Sequence, residues 1–243
     1  MAFDSEKWTL EFYGVVNEQF QVETDMFKLH IHRKSGIEKL DTQKGEGTLD
    51  IYIPHKWNIE EYLYQEKLRK LLFSEVKKQA QRIFTSRTMH YANRYGIQCE
   101  RVEMSTRGHH MGFCYADYGL IRYNPWLICT ASKNFIDYLV CHELAHFFHH
   151  GHGSEFWKMA ERLYLGLGLT AHTSGQTIRK MENDFVHNKM LNLLKFWGQP
   201  SYLKAFYRNG SVKRREPLII PNYIDVNGKQ VEYAYFTTFK IRI

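Results

Sequence analysis

Residues 132–149 read SKNFIDYLVCHELAHFFH, and this stretch predicts the helix from which the rest of the fold can be worked out. Its apolar residues recur at spacings of three and four, the period of an amphipathic helix. Ser132 is suited to cap its start, because a serine hydroxyl accepts a hydrogen bond from a free backbone N–H of the first turn. The glycines of GHG at 151–153 end the helix, and Ser154 is suited to cap a further one through EFWKMAERLYLG.

Upstream of this helix, the sequence predicts strands followed by a long helix. Between Trp8 and Pro54, runs such as MFKLHIH and TLDIYI alternate with turn-prone SGIEK and QKGEG, a pattern typical of an antiparallel meander. The segment LYQEKLRKLLFSEVKKQAQRIF then predicts an amphipathic helix of several turns. A break near residues 85–88 starts a second, shorter helix that ends before Gly96. The strand-like runs CERVEMST and GLIRYNPWLI follow, as a hairpin or as neighbouring strands, with the insertion-like RGHHMGFCYADY between them.

The predicted fold class is therefore α+β, with an N-terminal antiparallel strand meander, a long helix, short strands and two further helices. Residues 1–165 are assigned to one domain. Residues 166–243 are assigned to a C-terminal α/β extension that contains a helix and a β-hairpin, the latter signalled by Asn227-Gly228 between strand-like runs. No low-complexity tract separates the two, so the extension is expected to pack on the core.

The composition is that of an ordinary globular chain. Of 243 residues, 44% are hydrophobic and 24% charged, which excludes a disordered, collagen-like or coiled-coil protein. The first residues, MAFDSEKWTL, lack the apolar stretch of an export signal, and no run of about 18 apolar residues suggests a membrane span. The four cysteines form no C-x-x-C pair, which argues against a zinc ribbon or a redox dithiol. A reduced, cytoplasmic setting and no membrane partner are expected.

The formal charge of +7 is unevenly distributed along the chain. Residues 1–165 contain 21 Lys and Arg against 21 Asp and Glu, whereas residues 166–243 contain 12 against 5. The whole excess therefore belongs to the extension. A nucleic-acid partner could bind there, although a run such as Lys213-Arg214-Arg215 is more often a solvated loop.

The chemistry is concentrated in His142-Glu143-Leu144-Ala145-His146, an H-E-x-x-H pattern. On a helix, this spacing places two imidazoles four residues apart on one face, with a carboxylate beside them, which is the arrangement of a zinc hydrolase. Because the chain contains 13 histidines, the pattern needs a third ligand to support it. His152 and His149 are both candidates. His149 would lie about 10 Å from His142 along the helix axis, too far to share an ion, so the geometry favours His152.

Three protein ligands and one open position are typical of catalytic zinc, which lowers the pKa of water toward 7 while a carboxylate takes the proton. Glu143 is the candidate for that general base. Glu155 and Glu161 on the following helix are weaker candidates for a ligand. Phe156, Trp157 and Cys141 are interpreted as core residues.

The segment YLVCHELAHFFHHGHGSEFW, with YNPWLI ahead of it, resembles the YgjP-like metallopeptidase domain. The motif of that family runs H-E-L-x-H, then a histidine six residues later, then a small residue and F-W. The resemblance implies a zincin-type active-site helix, zinc bound by His142, His146 and His152, and Glu143 as the catalytic acid and base. It also implies relatives among the WLM and SprT-like proteases, and covers roughly residues 20–165.

Upstream, the resemblance continues in Met104-Ser105-Thr106-Arg107 and in Gly112-Phe113-Cys114, but residues 108–111 depart from the family pattern. The departure affects the strand and loop beside the cleft, and so the substrate preference. His109 and His110 lie in this loop and could touch substrate. Arg107 and Tyr164 are candidates for stabilising an oxyanion. The metzincins share the histidine spacing, but His149 stands where they have glycine.

The sequence thus predicts a cytoplasmic zinc metallopeptidase that cleaves peptide or protein substrates. Three alternatives stay open: a metal-dependent nucleotide phosphohydrolase, a DNA-associated protease of the SprT or WLM kind whose extension binds nucleic acid, and a metal-binding module without turnover. No Gly-rich phosphate loop supports the first of them.

Overall fold

A computed structural model describes residues 16–59, 61–105 and 111–182, and the predicted α+β class is confirmed in them. The elements are β1 (Val22–Glu23), β2 (Lys28–Lys34), β3 (Asp41–Gly45), β4 (Thr48–Pro54), α1 (Tyr62–Tyr95), β5 (Arg101–Met104), β6 (Gly112–Tyr115), β7 (Leu120–Tyr123), α2 (Lys133–Ala145) and α3 (Ser154–Leu165). Residues 176–182 are again helical. The hairpin predicted for the C-terminal extension lies outside the described residues.

The described residues form two compact units. The first contains residues 16–23 and 27–75, and the second contains residues 24–26 and 76–182. Helix α1 therefore contributes its first part to one unit and its remainder to the other. Among the described helices, none is both long and apolar enough to cross a membrane.

The sheet of the first unit has the strand order β1-β2-β4-β3, and the prediction of an antiparallel meander is wrong in one pairing. β2 and β4 run parallel, whereas β1 with β2 and β3 with β4 are antiparallel. The reason lies in the side chains: Leu49, Ile51 and Ile53 on β4 are at most 1% exposed, while β3 reads DTQKG and is mostly exposed. A strand this apolar stabilises the sheet from its centre, and the polar strand is suited to the edge.

Helix α1 is continuous over 34 residues, so the predicted break near residues 85–88 is wrong. Neither glycine nor proline interrupts the segment. Thr88 is fully buried, with its hydroxyl 3.2 Å from that of Tyr123, and Gln81 donates to both Thr85 Oγ1 and the Val102 carbonyl. These contacts favour helix where propensity alone suggested an interruption. The helix ends just before Gly96, as predicted.

The second unit contains a three-stranded sheet of order β5-β7-β6. β5 and β7 are neighbours, as predicted, but they pair in parallel and so do not form a hairpin. The insertion between them supplies the edge strand β6, antiparallel to β7. This strand packs against α2 and thereby brings the sheet to the H-E-x-x-H segment.

Helix α2 begins at the predicted cap, where the Ser132 hydroxyl accepts a hydrogen bond from Phe135 N. It ends at Ala145, earlier than predicted, and every residue from 135 to 145 is buried. The helix is therefore not amphipathic. Its buried Asp137 is paired with both Arg87 and Lys133, which offsets part of the cost of burying the charge. The cap of α3 is Gly153, and Ser154 is its first helical residue.

Candidate metal centre

The last turn of α2 and the loop after it bring three histidines together. His142 and His146 lie one turn apart at the helix end, and the loop through 151–153 returns His152 to them. One ring nitrogen from each histidine belongs to a group whose atoms all lie within 4.8 Å of one another. Nε2 of His142 and Nε2 of His152 are 3.1 Å apart. The three imidazoles could therefore hold one metal ion.

The spacing of His142 and His152 and the lowered pKa values of the three histidines suit a zinc ion. Two nitrogens that bond the same tetrahedral zinc at about 2.1 Å lie about 3.4 Å apart, close to the 3.1 Å observed. A ligand must also present a lone pair, so it must be neutral. Burial, helped by the other two histidines, holds the pKa of His142 well below its usual range, and burial lowers the pKa of His146 to about 4. Burial also lowers the pKa of His152.

Hydrogen bonds to the other ring nitrogens orient two of the histidines. Nδ1 of His146 lies 3.0 Å from the backbone carbonyl of His149, which can only accept, so Nδ1 carries the proton and Nε2 is free. Nδ1 of His142 lies 3.1 Å from the hydroxyl of Tyr138, one helical turn earlier. Such contacts fix the tautomer and the angle of a metal-binding ring.

Aromatic rings of α3 line one side of the histidine group. The Phe156 ring lies 4.6–4.8 Å, centroid to centroid, from each of the three imidazoles, and it is 1% exposed. Trp157 Nε1 donates to the His152 carbonyl at 3.0 Å and thereby holds the loop. Phe156 is a core residue, as predicted, but both rings also form the boundary of the site. They restrict the access of water on that side.

Glu143 is the fully buried carboxyl beside these histidines. Its Oε1 is buried and has no hydrogen-bond partner among the described residues. Burial raises the pKa of Glu143 to about 8. A buried carboxyl oxygen without a partner is costly unless a ligand or solvent satisfies it, so the orphaned atom marks a place where a polar group binds.

Gly112, the first residue of β6, allows the sheet edge to approach this carboxyl closely. A Cβ built on it would lie 2.7 Å from Glu143 Cδ, nearer than real Cβ atoms come to a neighbour. A cavity of about 290 Å³ lies along the same strand, lined by Gly112, Phe113, Arg122 and Asn124 among others. Gly112 therefore both contacts the Glu143 carboxyl and lines this cavity.

Replacing Gly112 with alanine should destabilise the protein by about 1–3 kcal/mol, because the added methyl forces the buried carboxyl or the strand to move. Gly168→Ala is the matched control, since a Cβ there meets nothing within 4 Å. The free energy of unfolding, from denaturant titration, compares the two. Equal stabilities of the two variants would show that β6 does not approach Glu143 this closely.

The raised pKa of Glu143 predicts how the stability of the metal-free protein depends on pH. Above its usual pKa of 4.5 the unfolded chain releases a proton that the folded chain keeps until about pH 8. The contribution of Glu143 to the free energy of unfolding is therefore fully present below pH 4.5. It is lost as pH rises to 8, and the loss is at most about 5 kcal/mol.

The glutamine of Glu143→Gln cannot titrate. In chelator-treated samples, the free energy of unfolding of this variant should therefore rise relative to that of wild type by several kcal/mol between pH 5 and 8. Histidine titration is common to both proteins and cancels in the comparison. A difference that stayed constant with pH would show that Glu143 is not buried as a neutral carboxyl.

The other sequence candidates lie apart from the histidine group or beyond the described residues. His149 contributes its backbone carbonyl rather than its ring, and Glu155 is exposed and paired with Lys158. Glu161 accepts hydrogen bonds from Gly175 N and Thr177 N. Tyr164 lies near Asp137 and Cys141, and Cys141 is buried. The other three candidates, Arg107, His109 and His110, lie outside the described residues.

Sequence reasoning did not select Tyr138, Gly112 or Glu182 as parts of this site. Tyr138 could have been found from its place one helical turn before His142. The G-x-C pattern named Gly112 without indicating its contact with Glu143. Glu182, whose Oε2 accepts the Tyr138 hydroxyl at 3.0 Å, is 44 residues away along the chain and carried no local signal.

A protein-family model described as YgjP-like, metallopeptidase domain, matches residues 16–166, which is more than half of the chain. The search of curated proteins and the search of solved structures returned no match.

Proposed function

The chain belongs to the YgjP-like metallopeptidase family, and from this premise we propose that it is a zinc-dependent metallopeptidase. In this proposal His142, His146 and His152 hold the metal, and Glu143 is the general acid and base. The observation that carries it is the group of three imidazoles, of which His142 is buried, His146 partly buried and His152 exposed, beside a carboxyl oxygen without a partner among the described residues.

The histidine group supplies three ligands and leaves a position open for water and substrate. A zinc ion bound there would supply Lewis acidity, making water more acidic and polarising the carbonyl of a peptide bond. The contacts of His146 with the His149 carbonyl and of His142 with Tyr138 keep the rings oriented for binding.

Glu143 moves the proton in this proposal. Its carboxylate takes a proton from the attacking water as the water oxygen bonds to the peptide carbonyl carbon. It then gives that proton to the leaving nitrogen as the C–N bond breaks. In the metal-free protein burial raises the pKa of Glu143 to about 8, and a zinc ion bound beside it would favour the carboxylate form that accepts the proton. The wall formed by Phe156 and Trp157 limits competing water.

The edge strand β6 and the cavity beside it support a peptide as substrate. In the described sheet β6 pairs with β7 and is an edge strand, the kind of strand to which an extended peptide adds. Its first residue contacts Glu143, and Phe113 and Arg122 line the adjoining cavity. An extended peptide along β6 would therefore bring a scissile bond toward the carboxyl.

Zinc analysis of the purified chain, joined to a peptide-cleavage screen of wild type and Glu143→Gln, tests this function. One zinc per chain with cleavage by wild type only is expected. Phosphate release from a nucleotide panel without peptide cleavage would select the phosphohydrolase instead. Zinc binding with no turnover of either kind would leave a metal-binding module.

We base the proposed cellular location and the proposed nucleic-acid partner of the chain on its composition. A cytoplasmic location agrees with four free cysteines. The basic extension, with 12 Lys and Arg against 5 Asp and Glu, is a candidate nucleic-acid contact. Replacing Lys213, Arg214 and Arg215 with glutamine should weaken DNA binding and flatten its salt dependence. Binding that did not change with salt would contradict this contact.

A further inference from the structure

A chain of two hydrogen bonds leads away from His142 to a carboxylate outside the family domain. His142 Nδ1 lies 3.1 Å from the Tyr138 hydroxyl, and that hydroxyl lies 3.0 Å from Glu182 Oε2. His142 is fully buried and so is Tyr138. Glu182 lies beyond the residues 16–166 that the family model matches. Nothing in the motif around His142 assigns a role to it.

The chemistry of the three groups sets the direction of both bonds. A phenol has one proton to donate, and an ionised carboxylate can only accept. The Tyr138 proton therefore goes to Glu182, and the Tyr138 oxygen accepts from His142. Nδ1 of His142 must then carry the ring proton, which leaves Nε2 with its lone pair facing the histidine group.

The segment that carries Glu182 is fixed to α3. The Glu161 carboxylate accepts hydrogen bonds from Gly175 N at 2.7 Å and Thr177 N at 3.0 Å. Gly175 has a φ of +73°, and a Cβ there would lie 2.6 Å from Trp157 Cβ, so only glycine fits. Ile178 is fully buried. Glu182 therefore reaches Tyr138 from a helical segment whose start is anchored to α3.

We propose that Tyr138 and Glu182 are positioning residues for the metal centre, with Glu182 acting through the Tyr138 hydroxyl to fix the tautomer and orientation of His142. This inference deepens the proposed function and depends on His142 being a metal ligand. It extends the support of the site past the family domain, into the start of the segment assigned to the C-terminal extension. Outer hydrogen-bond partners of metal-binding histidines typically change metal affinity about 10–100-fold.

Three variants of the full-length chain test the Tyr138–His142 and Tyr138–Glu182 hydrogen bonds separately and together. Tyr138→Phe removes the hydroxyl and should weaken zinc binding about 10–100-fold in competition with a chromophoric chelator. Glu182→Gln keeps an acceptor but loses the charge, so its effect should be smaller. In the Tyr138→Phe background, Glu182→Gln should have no further effect, because the carboxylate acts through the hydroxyl. Tyr95→Phe is the control: the Tyr95 hydroxyl donates to the Arg162 and Leu163 carbonyls, away from the histidine group, so its loss should leave zinc affinity unchanged.

Ring-nitrogen chemical shifts of His142 in the metal-free chain give a readout that a merely structural role would not move. Wild type should show a protonated Nδ1 and an unprotonated Nε2, and in Tyr138→Phe the two shifts should move toward each other. Unchanged shifts in that variant, or an undiminished effect of Glu182→Gln in the Tyr138→Phe background, would overturn the inference. Stoichiometric zinc in wild type, with equal zinc affinity in all variants, would overturn this inference and leave the proposed function standing. Absence of zinc from wild type would overturn the proposed function.

Discussion

Glu143→Gln should lower the rate constant for peptide hydrolysis by about 10²–10⁴-fold while the chain keeps its zinc, because glutamine fills the same space but cannot take a proton. The loss should appear in kcat, since proton transfer belongs to the transition state and not to substrate binding. Steady-state kinetics on a cleaved peptide, with zinc content measured on the same samples, checks this result.

The matched control for this prediction is Glu155→Gln. Glu155 lies on the next helix, is exposed and pairs with Lys158, so its loss should leave kcat within about twofold of wild type. A Glu143→Gln protein that kept both its zinc and its wild-type rate would show that another group moves the proton.

His146→Ala should weaken zinc binding by about 10²–10³-fold, the second large expected effect. Structural zinc sites with four protein ligands bind with about 10–16 kcal/mol, so each ligand contributes about 2.5–4 kcal/mol, or about 10²–10³-fold in affinity. His146 is chosen because its ring belongs to the histidine group and its tautomer is fixed by the His149 carbonyl. Competition with a zinc chelator measures the change.

His149→Ala provides the control for this experiment, since its ring lies outside the histidine group while its backbone carbonyl is kept. Its zinc affinity should stay close to that of wild type. If His149→Ala released zinc and His146→Ala did not, the assignment of ligands would be wrong.

The parts of the fold that sequence reasoning predicted are those set by local pattern. The order of strands and helices, the Ser132 cap and the end of α1 before Gly96 each depend on a few adjacent residues. The spacing of His142 and His146 follows from the period of a helix. Local sequence pattern is therefore sufficient to predict that His142, His146 and His152 lie close together, as the structure places them.

The parts that it missed depend on contacts between distant segments. The parallel pairing of β2 with β4 follows from the burial of Leu49 and Ile51 at the sheet centre, which strand patterns alone do not encode. Helix α1 continues through residues 85–88 because Thr88 is buried against Tyr123. Burial of helix α2 on all sides includes Asp137, whose charge is paired with Arg87 from α1 and with Lys133.

The surroundings of the candidate site show the same limit. Gly112 approaches Glu143 from a strand 31 residues earlier, and Glu182 reaches Tyr138 from 44 residues later. No periodicity links such positions. The histidine spacing could therefore be predicted, whereas the groups that surround the histidines and orient them could not.

Digestion of a proteome-derived peptide library in ¹⁸O-labelled water, with zinc-loaded wild type beside zinc-loaded Glu143→Gln, tests the central claim most directly. Hydrolysis by an activated water places one ¹⁸O in the carboxyl group of each new C-terminus, which mass spectrometry detects. Labelled products are expected from wild type, with those from Glu143→Gln reduced about 10²-fold or more. An intact library after incubation with fully zinc-loaded wild type, or equal labelling by both proteins, would contradict the account.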